Sequence, residues 1–263
     1  MPVLAVVAVA ALLAGVEPLD RFPGAAPSYL LAVDGKLLWA RAPDAPRAPA
    51  SLVKMLTALE ALSSPPAGEW LTVSRRAAAA TGTRLGLRAG ERVRVNDAIT
   101  AMLVASANDA CLAVAESLSG SGEAFAARMN RRAAEMGLEG TRFVDPCGHD
   151  APGQRVTARD LWTLARTALQ NPAFRRMVAL QEVKLQTRAG RTLQATSSNV
   201  LLGRMPGADG VKTGFTPEAG KCLVARVERG GHEVMLVLLG APDRWWTAAA
   251  LIEQAFAETL PRE

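Results

Sequence analysis

Histidine, cysteine, tyrosine and lysine are all scarce in this chain of 263 residues. Two histidines (His149, His232) and three widely spaced cysteines (Cys111, Cys147, Cys222) include no CxxC pair. Neither a zinc site nor a disulfide framework is therefore expected, and no metal or cofactor is called for. Aromatic residues make up 5% of the chain, with one tyrosine, and no dense Lys/Arg run is interleaved with them. The net charge of +5 suits an anionic polymer or lipid surface, but a nucleic acid partner is not expected. With 49% hydrophobic and 21% charged residues, and no repeat or low-complexity segment, the chain is globular. One long uncharged run occurs, Pro2 to Val16. It falls short of the about 20 residues that a membrane span takes. Its length is that of the apolar part of a signal peptide, although no Lys or Arg precedes it; a buried N-terminal helix is the alternative. Residues 1–20 are accordingly read as an export signal or N-terminal anchor, and 21–263 as one domain.

The shortage of lysine is the most informative of these. Five lysines (Lys36, Lys54, Lys184, Lys212, Lys221) stand against 25 arginines. A guanidinium does not deprotonate, so a chain that prefers arginine keeps lysine where a neutral amine or compact ammonium is needed. Lys54 lies in APASLVKMLTALEAL, three residues after Ser51 at the start of an apolar helical run. Positions i and i+3 share a helix face, so hydroxyl and amine can meet. A serine needs a base to become a nucleophile, and a lysine desolvated by Leu52, Val53, Met55 and Leu56 can be that base. Taken alone, the tetrapeptide is more simply a capping serine followed by a solvated lysine.

Periodicity gives the frame. Tyr29–Val33 and Leu37–Arg41 read as strands around Asp34-Gly35, a hairpin signal. Helices are expected from Asn96 or Asp97 to about Ala105, Asp109 to Leu118, Glu123 to Met136, and after Thr157 to about Leu169. Trp70 to Val95 reads as irregular, and Val183–Gln186 as a short strand. Cys222–Arg226 and Val234–Leu239 read as strands around Gly230-Gly231, followed by a helix from Trp245 to Leu260. Strands at both ends with helices between predict an α+β fold. Its antiparallel sheet is built from N- and C-terminal strands, with helices on its faces and a helical insert.

Two further motifs sit on this frame. Ser106, Ala107 and Asn108 fall between two expected helices, and Lys212, Thr213 and Gly214 lie at the entry to the C-terminal strands. The ordered set S-x-x-K, S-x-N, K-T-G occurs in penicillin-binding proteins and class A β-lactamases. From about Tyr29 onward the sequence resembles the low-molecular-mass penicillin-binding proteins, the serine D-alanyl-D-alanine carboxypeptidases. RLGLRAGERVRVNDAITAMLVASANDA, FAARMNRRAAEMGLEGTRFVDPCG, VTARDL and GADGVKTGFTPEAG carry that resemblance beside the Ser51 segment.

The resemblance implies a penicillin-binding-protein/β-lactamase-like fold and a set of roles. Ser51 would be acylated by a peptidoglycan stem peptide, releasing the terminal D-alanine, and Lys54 would take its proton. Ser106 would relay that proton to the leaving group, and Asn108 would hold the substrate amide and help place Lys54. Lys212 and Thr213 would bind the terminal carboxylate, backed by Arg244, and Gly214 would let the strand approach. Backbone N–H groups of Ser51 and Phe215 would form the oxyanion hole. β-Lactams would be covalent inhibitors, and the enzyme would be exported to the periplasm or extracytoplasmic envelope. Larger relatives add a C-terminal β-rich domain and anchor helix, so membrane association would come through the N-terminus.

Ala107 and Phe215 depart from the family's commoner Gly and polar residue. Asp145 reads as structural, Trp245 and Trp246 as helix-to-sheet packing, and both histidines as surface or loop residues. Three alternatives stay open: a DD-endopeptidase cutting cross-links, a non-catalytic binding module, and a β-lactamase. The last is disfavoured because Phe143 to Val156 contains no Glu to activate water.

Overall fold

A computed structural model describes residues 19–64 and 68–259. The expected leader, except for its last two residues, lies outside these. In chain order the elements are β1 (Ser28–Val33), β2 (Lys36–Arg41), a 3₁₀ turn (Ala50–Val53), α1 (Lys54–Ser63), β3 (Trp70–Thr72), α2 (Arg75–Ala78), β4 (Arg92–Arg94), α3 (Val95–Val104) and α4 (Asn108–Ser119). There follow α5 (Gly122–Glu135), α6 (Ala158–Leu169), α7 (Pro172–Val178), β5 (Glu182–Gln186), β6 (Thr192–Thr196), β7 (Ala208–Thr216), β8 (Gly220–Arg229), β9 (His232–Ala241) and α8 (Arg244–Thr259).

Five strands form one antiparallel sheet in the order β2-β1-β9-β8-β7, as expected of strands drawn from both ends of the chain. The β1–β2 turn places Asp34 (φ 50°) and Gly35 (φ 74°) in the left-handed region, the conformation that a tight two-residue hairpin needs. Asp34 also ties the hairpin to β9, accepting the Glu233 N–H at 2.8 Å and bonding His232 Nδ1 at 2.7 Å.

Alternation along the strands makes two cores. Leu30, Ala32, Val224, Met235, Val237 and Leu239 face the helical insert, whose α1, α3, α4 and α6 fill that side. Tyr29, Leu31, Leu223, Leu236 and Leu238 face α8, which contributes Leu251, Ile252, Ala255 and Phe256. Both faces being covered, β9 reads as a nearly continuous apolar run. Each fully buried side chain of this kind contributes about 1.5–3 kcal/mol.

Helix α1 runs through the larger core and is buried from Lys54 to Ala61. Its one carboxylate there, Glu60, pairs with Arg128 at 2.6 Å and Arg132 at 3.5 Å. The stretch Trp70 to Val95, expected to be irregular, instead carries β3, α2 and β4, pieces too short for a periodic signal. Helix α7 and strand β6 are likewise additional to the expectation. Among the described residues, no helix is long and apolar enough to cross a membrane.

Candidate active site

Ser51 lies in the 3₁₀ turn that precedes α1, rather than in the first turn of the α-helix itself. Positions i and i+3 eclipse in 3₁₀ geometry, so Lys54 stands directly over the serine. Its Nζ lies 2.8 Å from Ser51 Oγ and also donates to the Cys147 carbonyl. Lys54 is fully buried, and desolvation lowers its pKa to about 7 against a partly opposing charge on Asp145. Two glycines crowd this turn. A Cβ on Gly148 would collide with the Ala50 carbonyl, and one on Gly214 would sit 2.9 Å from Ala50 Cβ and 3.0 Å from the Ser51 nitrogen. Only bare backbone fits there.

Ser106 lies in the middle of the α3–α4 junction in a left-handed conformation (φ 60°), which costs a non-glycine residue about 1 kcal/mol or more. Lys212 Nζ, from β7, donates to Ser106 Oγ at 2.9 Å and to the Thr213 carbonyl at 2.9 Å. Burial, and then the positive charges of Lys54 and Arg244, hold the Lys212 ammonium well below the usual lysine range. Thr213 Oγ1 is 2.6 Å from Ser198 Oγ. Arg244 opens α8, stacks on Trp245 and donates to the Gly214 carbonyl at 2.6 Å, bracing the back of β7. Phe215 is 62% exposed, so its side chain lies on the solvent side of that strand.

The structure thus brings the nine candidate residues into one region, with Asn108 at the start of α4, two positions beyond Ser106. The Asn108 amide nitrogen contacts the Thr81 carbonyl at 2.6 Å and His149 Nε2 at 3.1 Å; its bonds do not include Lys54. His149, expected at the surface or in a loop, lies in the loop after α5, half-buried against the site. Trp246, expected to pack, is 79% exposed, whereas Trp245 reaches the smaller core.

Three contributors were missed, the disulfide, Asp109 and Ser198, whereas Asp145 is structural as expected. Cys111 and Cys147 form a disulfide, Cα–Cα 5.8 Å, despite the expectation of none. A separation of 36 residues carries no pairing signal; α4 and the loop after α5 bring the two together. Asp145 accepts the N–H groups of Cys147, Gly148 and His149 on one oxygen (2.6–3.0 Å), which shapes the loop that presents the Cys147 carbonyl to Lys54. Asp109, fully buried, accepts from Leu85, Gly86, Leu87 and its neighbour Ala110. Ser198 supports Thr213. An aspartate directly after the Ser-x-Asn motif was the one usable sequence signal among these.

The profile of the D-alanyl-D-alanine carboxypeptidase family (peptidase family S11) matches residues 25–243. The chain belongs to this family. It is 32% identical over 212 residues to the D-alanyl-D-alanine carboxypeptidase DacF of Bacillus subtilis, covering 79% of this chain and 54% of that protein. It therefore spans about half the length of that relative. To DacB2 of Mycobacterium tuberculosis it is 31% identical over 257 residues, covering 93% of this chain and 88% of that one. Among solved structures, the carboxypeptidase DacD of Francisella tularensis superimposes with a TM-score of 0.82 at 26% identity, covering 92% of this chain and 72% of that one. The fold is that of the penicillin-binding DD-peptidases.

Proposed function

We propose that this family member is a serine D-alanyl-D-alanine carboxypeptidase that trims peptidoglycan stem peptides through an acyl-enzyme on Ser51. The observation that carries this reading is the 2.8 Å contact between Ser51 Oγ and a fully buried Lys54. A base with a pKa near 7 is partly neutral at physiological pH, which general-base catalysis requires.

Neutral Lys54 takes the Ser51 proton as the oxygen attacks the penultimate D-alanine carbonyl. The N–H groups of Ser51 and Phe215 receive the developing oxyanion, a contribution of about 3 kcal/mol for a single donor. The C–N bond then breaks, and Ser106, bonded to Lys212, passes a proton to the departing D-alanine. Water releases the shortened peptide from Ser51. Lys212 and Thr213 take the substrate's terminal carboxylate, whose negative charge offsets the cost of the buried ammonium. Arg244 holds the Gly214 carbonyl and so the strand they share.

Export to an oxidising compartment of the cell envelope fits the same reading. The Cys111–Cys147 disulfide supports it, since such bonds persist outside the reducing cytosol.

Intact mass after brief exposure to benzylpenicillin tests the mechanism. The expected result is one covalent adduct on the wild type and none on Ser51→Ala, with an acylation rate that falls as pH drops below about 7. Drug left intact with no adduct at any time would defeat the catalytic reading. Sustained drug consumption without adduct would favour a β-lactamase. Pentapeptide and cross-linked dimer offered side by side then separate carboxypeptidase from endopeptidase, with the pentapeptide expected to lose its terminal D-alanine faster.

A further inference from the structure

The Asn108 side chain sits among partners that leave its orientation no freedom. The atom 2.6 Å from the Thr81 carbonyl must be the amide nitrogen, because that carbonyl can only accept. The second amide hydrogen then faces His149 Nε2 at 3.1 Å. Nε2 accepts that hydrogen in the neutral ring; the Thr81 carbonyl, 3.4 Å away, is the acceptor it would reach if protonated. The other ring nitrogen, Nδ1, lies 3.1 Å from Asp145 Oδ2, another acceptor, and so holds the proton. Asp145 is itself locked by three backbone N–H groups on its other oxygen. Asn108 Oδ1 is buried and has no hydrogen-bond partner.

We infer that His149 is a positioning residue for Asn108, and that only its neutral Nδ1–H tautomer accepts from the Asn108 amide. A proton on Nε2 would set two donors 3.1 Å apart and in competition for the Thr81 carbonyl, and Asn108 would lose its imidazole acceptor. The chain Asp145–His149–Asn108 therefore couples the environment's pH to the Ser-x-Asn motif. This rests on the proposed function only in that Asn108 serves catalysis; the tautomer does not depend on it.

The charged groups around the imidazole come from several elements. Asp145 from its own loop is the largest influence, raising the pKa above the ordinary 6.5 with help from the Thr81 carbonyl, while burial and Lys54 from α1 oppose. Arg76 of α2 and Glu123 of α5 line the neighbouring cavity, but they pair with each other. His149 thus takes up a proton more readily than a free imidazole, and acid inactivation involves two groups rather than one.

Nitrogen-15 spectra of the full chain test the tautomer directly. There are two histidines, and His149→Gln assigns them. The expected neutral form of His149 has a protonated Nδ1 and a bare Nε2; a protonated Nε2 in the neutral form overturns the inference. Benzylpenicillin acylation against pH supplies the second readout. As pH falls, the wild-type rate should drop about fivefold further than that of His149→Gln, which keeps a non-titrating acceptor and falls only with Lys54. At the alkaline plateau His149→Gln should stay near wild type, while His149→Phe should lose about fivefold, the worth of one neutral hydrogen bond. Identical acid limbs in wild type and His149→Gln would overturn the inference. A complete lack of acylation would defeat the proposed function and leave the spectra to decide the tautomer.

Discussion

A buried lysine is an expensive choice of base, and its cost is measurable. Unfolded, Lys54 holds its proton up to about pH 10.5; folded, only to about 7. Between those values the unfolded state binds more protons, so this residue's contribution to stability rises with pH across the window and is flat below it. At pH 7 the penalty is on the order of 5 kcal/mol. Lys54→Met, which keeps much of the volume, should therefore abolish acylation yet raise the melting temperature at pH 7, and the gain should shrink toward pH 10. A lower melting temperature at pH 7 would contradict the assigned burial cost. Gly214 is the other residue with a sharp expectation. Gly214→Ala forces the turn at Ala50 and Ser51 to move by several tenths of an ångström. A folded protein whose acylation is slower by about 10²-fold is expected from such misplacement. A wild-type acylation rate would show that β7 has slack.

At the scale of elements, the α3–α4 junction matters most, because it presents Ser106 and Asn108 from one short loop. The first residues of α4 hold the strained Ser106 in place. The Asn108 N–H donates to the Thr83 carbonyl at 2.7 Å, and Asp109 binds three successive N–H groups at Leu85, Gly86 and Leu87. The segment from Thr81 to Leu87 is thus wrapped around the start of α4 by hydrogen bonds, with Leu87 anchored in the larger core. Asp109→Ala leaves these donors unpaired in a buried site and should cost about 3 kcal/mol in urea unfolding. Hydrogen exchange should quicken first at Leu85–Leu87. Uniform quickening across the protein would instead mean that the carboxylate supports the core as a whole.

The whole molecule brings together three motifs that lie far apart along the chain, from Ser51 to Gly214. β7 forms the sheet edge opposite the N-terminal hairpin, and the turn carrying Ser51 packs against it, with Gly214 facing Ala50 and the Ser51 nitrogen. The Cys111–Cys147 bond closes the assembly on the other side, joining α4 to the loop whose carbonyl accepts from Lys54. Closing a loop of 36 residues contributes about 2–4 kcal/mol. Cys111→Ala/Cys147→Ala should lower stability by that amount. Acylation should slow as well, because the Cys147 carbonyl then moves more freely; unchanged stability and rate would make the bond incidental.

Much of this was legible in the sequence, for local reasons. The Asp34-Gly35 hairpin, the apolar run of β9, the Thr157-capped helix α6 and the Ser51–Lys54 spacing all depend on residues within one turn or one strand. The sequence read by itself therefore determined the antiparallel sheet and the helical insert, and singled out the three motifs as candidates. The disulfide, the 3₁₀ form of the Ser51 turn and the partners of Asn108 were decided by tertiary structure. Cys111 and Cys147 meet only once α4 and its facing loop are packed. The turn at Ala50 tightens because Gly148 and Gly214 press on it from distant parts of the chain. Asn108 bonds to Thr81 and His149, residues 27 and 41 positions away. Hydrogen bonds and close backbone contacts of this kind are short-ranged in space but not in sequence, so no local pattern of residue types can encode them.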